Sequence, residues 1–164
     1  MSAGALEVEL LREVEQFIYR EARLADEHDY AGWEALWTDD AVYWVPAGDA
    51  AGADPMTQMS IIHDNRSRIR TRIRQLETGK RHAQAPPSRL RRLVTNVELL
   101  GTRDGDVLAG ANFLVTESRE RGVTLWAGRC EYRLRRGEEG WLMAGKTVVL
   151  VDGDRPLHTL AFLI

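Results

Sequence analysis

Four titratable side chains in and just before the middle of the chain could support acid–base catalysis: Asp40, Tyr43, His63 and His82. A histidine held against a carboxylate can act as a general base near neutral pH, and a tyrosine hydroxyl can take part in proton transfer. The four residues lie on different predicted elements, so only the fold can bring them together. Each also has an ordinary interpretation, with Asp40 in a turn, His82 on a loop and the Tyr43 hydroxyl at the surface. The sequence leaves both interpretations open.

Metal ligands are sparse. Zinc and iron sites need clustered histidines, cysteines and carboxylates, whereas the four histidines are scattered over separate elements: His28, His63, His82 and His158. A Rieske cluster takes two cysteines and two histidines, and Cys130 is the single cysteine of the chain. We therefore predict that this chain binds no metal and no other cofactor.

Nucleophilic and nucleotide-binding centres are equally unsupported. The fourteen glycines occur singly, so the sequence has no glycine-rich phosphate loop. Cys130 falls on the apolar face of a predicted strand and is interpreted as a core thiol. Ser88 has no histidine near it except His82, and no catalytic triad is visible. The main prediction is a chain without a catalytic residue.

Length and composition are typical of one soluble domain spanning residues 1–164. Hydrophobic residues make up 44% of the chain and charged residues 29%. No apolar run reaches the ~20 residues of a membrane helix, and the first residues lack the basic and apolar segments of a signal peptide. The single cysteine suits a reducing compartment. We expect a cytoplasmic protein that does not bind membranes.

Charge is distributed unevenly along the chain. Between residues 64 and 92 there are ten lysines and arginines against two acidic residues, a net charge of +8, which leaves −11 for the rest and −3 in total. Such a segment can be a solvated face, or it can bind an acidic partner or a second copy of the chain. Nucleic acid is not expected, because the chain as a whole is acidic.

The elements that must position these residues change type at segment 80–97. Before it, apolar residues recur mostly at helical spacing, and a first helix is predicted over 6–27 with Leu10, Val14 and Phe17 on its apolar stripe. Within the segment, Pro86 and Pro87 stop any helix. After it, apolar residues alternate as in strands. This change predicts an α+β domain.

A second short helix is predicted to begin at the cap Asp29 and to carry Trp33 and Trp37 on one face as core residues. Residues 38–40 are predicted to form a turn, and 41–45 a strand that ends at Pro46.

A third helix is predicted after a short strand over 56–62. Asp64 is its expected cap and Gly79 its C-terminal stop. Its buried stripe is predicted to contain Ile62, Arg66, Ile69, Ile73 and Leu76.

The second half of the chain predicts an antiparallel meander. The sequence Asp104-Gly105 is a strong hairpin turn, and other short turns separate long apolar or alternating runs. The four predicted strands are 90–100, 107–118, 123–135 and 141–151. The apolar tail 157–164 is expected to dock in the core or on a neighbouring subunit.

Four collinear motifs resemble the small (beta) subunit of bacterial aromatic-ring-hydroxylating dioxygenases. They are FIYREARL at 17–24, WEALWTDDAVYWVP at 33–46, PPSR at 86–89 continuing to VTNV at 94–97, and AGRCEYRL at 127–134. The resemblance extends from about residue 15 to residue 164. It implies an NTF2-like cone, as in nuclear transport factor 2 and scytalone dehydratase, with three N-terminal helices packed on a long curved, mainly antiparallel sheet.

The resemblance also implies a function. It predicts a non-catalytic subunit in a three-alpha three-beta complex for aromatic compound catabolism, with a homotrimer of beta subunits. The iron–sulfur cluster and the mononuclear iron are expected in the partner alpha subunit. The predicted interface arginines are Arg81, Arg89, Arg91, Arg92 and Arg129. The alternatives are a stand-alone lyase or isomerase that uses the four titratable residues, and a module that binds a small aromatic ligand.

Overall fold

The computed structural model describes residues 2–48 and 54–164. In chain order the described elements are α1 (Ala3–Asp26), α2 (Tyr30–Glu34), β1 (Trp37–Pro46), β2 (Ser60–Asn65), α3 (Arg66–Glu77), a single 3₁₀ turn (His82–Gln84), β3 (Arg89–Arg103), β4 (Asp106–Arg119), β5 (Gly122–Arg136) and β6 (Trp141–Leu150). None of the described helices is both long and apolar enough to span a lipid bilayer.

The six described strands form one mixed sheet in the order β2-β1-β6-β5-β4-β3. Strands β3 to β6 pair antiparallel in succession, which confirms the predicted meander, while β1 pairs antiparallel with β2 and parallel with β6. The Asp104-Gly105 turn joins β3 to β4 with both residues at positive φ, 51° and 84°, as a tight hairpin requires. The predicted α+β class is confirmed.

The helices cover one face of the sheet, which we call the inner face; the opposite side is the outer face. Helix α1 is amphipathic because Val14, Ile18 and Ala25 recur at helical spacing and are buried. The buried apolar residues of the helices and of the inner sheet face form one continuous cluster. The side chains that point into it from α1 and β6 are therefore shielded from water.

Two predicted features of β1 are wrong. Trp37 does not belong to the second helix, which ends at Glu34, but begins β1; its ring still packs edge-on against Trp33, with centroids 5.3 Å apart. Residues 38–40 form part of the same strand rather than a turn. β1 pairs with β6 on both sides of these residues, at Trp37 and again from Val42, with a register shift between the two.

The start of α3 also differs from the prediction. Its cap is Asn65, whose side chain accepts a hydrogen bond from the Arg68 amide. Asp64 and Ile62 instead lie in β2, which pairs with β1. The strand predicted over 56–62 is found further along the chain, as β2 at Ser60–Asn65, where it pairs with β1. Strand pairing, which is not local in sequence, decides this boundary.

The end of the chain closes the inner side of the sheet. Residues 161–164 are buried, and the Phe162 ring packs edge-on against Trp126 at 5.5 Å between centroids. Arg92 donates a hydrogen bond to the Leu163 carbonyl at 2.7 Å, and the Tyr43 hydroxyl donates one to the Ile164 carbonyl at 2.7 Å. The expectation that this apolar tail docks in the core is confirmed.

Candidate functional site

The predicted acid–base residues Asp40 and Tyr43 lie on opposite faces of the sheet. Asp40 is on the outer face, where it accepts hydrogen bonds from Thr38 at 2.7 Å and from Arg135 at 2.9 Å, and these bonds hold the pKa of its carboxyl below the ordinary value. Tyr43 is fully buried on the inner face, and burial raises the pKa of its hydroxyl. Neither group faces the other.

The two histidines of the predicted site lie elsewhere. His63 sits opposite Trp44 in the pairing of β2 with β1. His82 is exposed in the 3₁₀ turn, at an open surface groove of about 690 Å³ that it shares with Arg89 and Arg121. Within the part of the chain that the structure describes, no hydrogen bond joins any two of the four residues. The His–Asp pair that a stand-alone lyase would need is not formed.

The interior instead contains a different set of charges, centred on a buried ion pair. Lys146 Nζ lies 2.8 Å from Glu21 Oε1, and both side chains are about 2% exposed. The Trp33 indole donates a second hydrogen bond to the same carboxylate oxygen at 2.7 Å. Strand β6 supplies the lysine and α1 the glutamate, so the pair joins the helix to the middle of the sheet.

Both members of this pair stay charged. Burial alone would raise the pKa of Glu21, but the charges of Lys146 and Arg92 and two hydrogen bonds outweigh it, and the net pKa lies below the ordinary value. Burial alone would lower the pKa of Lys146, and Glu21 reverses that effect, so its pKa lies above the ordinary value. A buried pair of this kind costs about 3–5 kcal/mol when one partner is removed.

A second buried ion pair joins α1 to β3. Arg92 Nε donates to Asp26 Oδ1 at 2.7 Å and the Arg92 backbone amide donates to Oδ2 at 2.8 Å, so one carboxylate binds both groups of the same residue. The Arg92 side chain is only 4% exposed. Its predicted role as a subunit-interface residue is therefore corrected, because its guanidinium is bound inside its own subunit.

A third polar network fixes the segment between the helices and the sheet. The Ser88 hydroxyl donates to Glu117 at 2.6 Å, and the other oxygen of that carboxylate accepts from the Trp126 indole at 2.9 Å. Gln84 donates to the Ser88 hydroxyl oxygen at 2.9 Å. All four residues are buried. This network makes the chain that follows the two prolines a fixed part of the structure.

Sequence reasoning missed Glu21, Asp26 and Lys146. Two of them left a signal, because Glu21 falls on the apolar stripe of α1, three residues after Ile18, and Lys146 interrupts an otherwise apolar strand. A charged residue at a position that the pattern assigns to the core is rarely buried unless it is paired. Two residues of opposite charge at predicted core positions therefore predict an ion pair between them.

The titratable groups of the interior are paired with one another or held protonated. The buried charges are matched within the chain, and burial raises the pKa values of Cys130 and Tyr132 above their ordinary values, which keeps both groups protonated near neutral pH. Among residues 2–48 and 54–164, no group of three or more histidines, cysteines and carboxylates is arranged to hold a metal ion. The arrangement is that of a structural core.

The outer face has the opposite character. It carries an apolar cluster, here called the outer patch, whose members are between 39% and 71% exposed: Leu93, Leu114, Val123, Leu125 and Val151. The cluster is continuous across the strands, since Leu93 pairs with Leu114 and Thr116 pairs with Leu125. Large exposed apolar surfaces of this kind mark sites of association.

Arginines border the outer patch. Arg91 pairs across the strands with Thr116, the neighbour of Leu125, and Arg89 pairs with Ser118, the neighbour of Val123. Both arginines are exposed, and neither forms an ion pair with another described residue. Arg129 lies on the same face but contacts Glu98 at 3.4 Å, and Arg81 is half-buried near the 3₁₀ turn.

Comparison with known proteins shows the family of this chain. Residues 20–153 match the family described as ring hydroxylating beta subunit. The chain is 34% identical over 153 residues to the small oxygenase component of a p-cumate 2,3-dioxygenase system from Pseudomonas putida, covering 83% of this chain and 84% of that protein. It is 32% identical over 141 residues to the beta subunit of toluate 1,2-dioxygenase from Pseudomonas putida, covering 84% and 87% respectively.

A solved structure shows the same fold. A naphthalene 1,2-dioxygenase with indole bound in its active site superposes with a TM-score of 0.80 at 18% identity, covering 100% of this chain and 95% of that chain. The predicted NTF2-like fold is therefore confirmed, as is the predicted family. These matches show that the chain belongs to the family of ring hydroxylating beta subunits.

Proposed function

We propose that this chain is a non-catalytic beta subunit that supports the assembly of catalytic alpha subunits in an aromatic-ring-hydroxylating dioxygenase for aromatic compound catabolism. The proposed complex has three alpha and three beta subunits, and its iron–sulfur cluster and mononuclear iron belong to the alpha subunits. The observation that carries the proposal is the outer patch, an exposed apolar surface on an otherwise well-packed chain.

The interior supports a structural role rather than a catalytic one. Glu21 and Lys146 are bound to each other and shielded from water, so neither is available to a substrate. The segment 161–164 fills the inner side of the sheet with buried side chains. These features stabilise the subunit and give no access to its charged groups.

The outer face supports association. A protein–protein interface typically has an apolar centre and a polar rim in which arginine is favoured. The outer patch provides the centre, and Arg89 and Arg91 stand at its border. Arginine also suits a rim because it binds carboxylates with two parallel hydrogen bonds. Arg81 and Arg129 belong to the same proposed interface.

The direct test is co-expression with a Rieske-type alpha subunit encoded beside this chain. We expect the two chains to co-purify at a one-to-one ratio, with the iron and the Rieske absorbance in the fraction that contains both. The variant Met56→Glu is a matched control, because Met56 is 83% exposed and lies outside the outer patch; it is expected to assemble as the unaltered chain does.

A chain that is folded but never co-purifies with an iron–sulfur protein would contradict the proposal. Iron bound by this chain in the absence of an alpha subunit would contradict the assignment of the metals to the partner. The cytoplasmic location stays a prediction, checked by cell fractionation.

A further inference from the structure

The first part of α1 projects beyond the body of the subunit. Residues 2–9 are all exposed, and Val14 is the first residue of the helix that is fully buried. The helix is nevertheless capped at its N-terminus, because the Ser2 side chain accepts a hydrogen bond from the Ala5 amide. Leu10 already packs against the core and Glu13 accepts a hydrogen bond from Trp141, so the segment that stays exposed is 2–9, about two helical turns at 1.5 Å per residue. Its conformation is set, but its surface is not covered by the rest of the chain.

This projecting segment is both acidic and apolar. Leu6 and Val8 are 52% and 57% exposed. Glu7 and Glu9 are exposed as well, and within the described residues neither forms an ion pair. An exposed helix that combines apolar and acidic residues suits a surface that combines apolar and basic residues.

The outer patch is such a surface, and it lies on the same chain. Its apolar centre includes Leu125, and Arg89 and Arg91 on its border have no acidic partner among the described residues. Helix α1 packs on the inner face of the sheet and the patch lies on the outer face. The helix of one copy therefore cannot cover its own patch, but it can cover the patch of another copy.

We propose that the projecting segment of α1, residues 3–9, docks on the outer patch of a second copy of this chain, with Glu7 and Glu9 directed towards Arg89 and Arg91. The contact joins two different surfaces, so it is head-to-tail and can close into a ring. This inference rests on the proposed function, because it specifies the contact that builds the proposed trimer of beta subunits.

Charge complementarity favours a second copy as the occupant. A head-to-tail contact places Glu7 and Glu9 of one copy against Arg89 and Arg91 of the next, whereas a contact between two copies of the outer patch would bring arginines of both copies to one interface. Like charges across an interface are strongly unfavourable.

Charge reversal without any alpha subunit tests the contact. The variants Glu7→Lys/Glu9→Lys and Arg89→Glu/Arg91→Glu are each expected to weaken self-association by about tenfold or more, measured by sedimentation at several concentrations. The chain that carries all four substitutions is expected to regain most of the lost affinity, because the charges are again opposite. Circular dichroism checks that each variant is folded.

Cysteine cross-linking gives an independent measurement. Val8→Cys together with Leu125→Cys places one thiol on each proposed surface, and the native Cys130 is buried. Oxidation is expected to give covalent dimers and trimers, whereas either single cysteine gives at most a small amount of dimer.

Three results would overturn the proposal: an unaltered chain that stays monomeric at about 100 μM, a fourfold variant no tighter than the pairs, or no cross-linked trimer. If Arg89→Glu/Arg91→Glu abolishes binding to the alpha subunit while self-association is unchanged, the alpha subunit is the occupant of the patch and the proposal is wrong. That result would leave the proposed function standing, since assembly with an alpha subunit is measured separately.

Discussion

The two sides of the sheet differ in where they place charged and apolar side chains. On the inner face, Glu21 and Lys146 are charged residues inside an apolar core, and each is matched by a partner in the same chain. On the outer face, Leu93 and Leu125 are apolar residues in contact with solvent, and nothing in the described chain covers them. The inner face is complete within one subunit, whereas the outer face leaves large apolar side chains exposed.

This difference bears on how a buried charge is interpreted, as a structural group or as part of a functional site. A buried charge is commonly a functional candidate, because active sites perturb the pKa values of titratable groups. Here the perturbed groups Glu21 and Lys146 hold α1 to strand β6 of the sheet. The surface proposed to function in assembly is instead marked by apolar side chains that are unusually exposed.

Removing one partner of the inner ion pair should have the largest effect on stability. Lys146→Ala leaves the Glu21 carboxylate buried without its cation, and we expect the free energy of unfolding to fall by about 3–5 kcal/mol. Urea unfolding measures this change. Arg129→Ala is the matched control on the outer face, where the contact with Glu98 is partly exposed; a loss of at most about 1 kcal/mol is expected there.

The double variant Glu21→Gln/Lys146→Met sharpens the same point. It removes both charges, so it should be less destabilising than Lys146→Ala although it changes more residues. A double variant as unstable as the single one would mean that the ion pair, rather than the unpaired charge, accounts for the loss.

Removing the aromatic side chain of the C-terminal segment should have the next largest effect. Phe162 is 4% exposed and packs against Trp126, so Phe162→Ala is expected to lower the free energy of unfolding by about 3 kcal/mol. Thr159→Ala is the control because Thr159 is exposed in the same segment. Equal unfolding midpoints for the two variants would show that the segment does not stabilise the core.

The inner ion pair also predicts a pH dependence with a definite sign. The pKa of Glu21 is lower in the folded chain than in the unfolded chain, so its stabilisation is present above about pH 4.3 and is lost as the pH falls through the folded value. The pKa of Lys146 is raised, so its stabilisation is present below about pH 10.4 and is lost as the pH rises through the folded value.

The unfolding free energy should therefore be highest between these limits. Denaturant titrations from pH 3 to pH 11 measure it, and the variant Glu21→Gln/Lys146→Met should show a smaller loss at both ends. A profile identical to that of the unaltered chain would contradict the assignment of these pKa shifts to the pair.

Charge introduced on the outer patch should have the smallest effect on stability. Leu93→Glu/Leu125→Glu changes two residues that are 67% and 64% exposed, so the free energy of unfolding of the isolated subunit should change by less than about 0.5 kcal/mol per site. A large destabilisation would show that these side chains stabilise the isolated subunit. It would contradict the distinction drawn between a packed inner face and an exposed outer face.

Much of the fold could be predicted from the sequence because its signals are local. The Asp104-Gly105 turn and the strands on either side of it follow from turn chemistry and alternation. The order of strands in the sheet could not be predicted this way, since the parallel pairing of β1 with β6 joins residues about 100 positions apart, such as Tyr43 and Lys146.

The candidate site was harder to predict than the fold. The acid–base hypothesis rested on residue types that are common in catalytic sites, such as His63, His82 and Asp40. Glu21 and Lys146 were overlooked because they lie within runs of apolar residues that predict a core. Sequence alone shows which residues are arginines but not which of them are bound internally, and this is why Arg92 was grouped with Arg89. Only the structure separates the two, since Arg92 contacts Asp26 and Arg89 faces solvent.

The most direct test of the contrast between the faces is the mass of the complex that each variant forms with an alpha subunit, measured by native mass spectrometry. Leu93→Glu/Leu125→Glu should remain folded and appear outside the complex, while Met56→Glu should appear in the proposed three-alpha three-beta complex, as is expected of the unaltered chain. A patch variant that assembles as fully as Met56→Glu would contradict the account, because the outer face would then have no part in assembly.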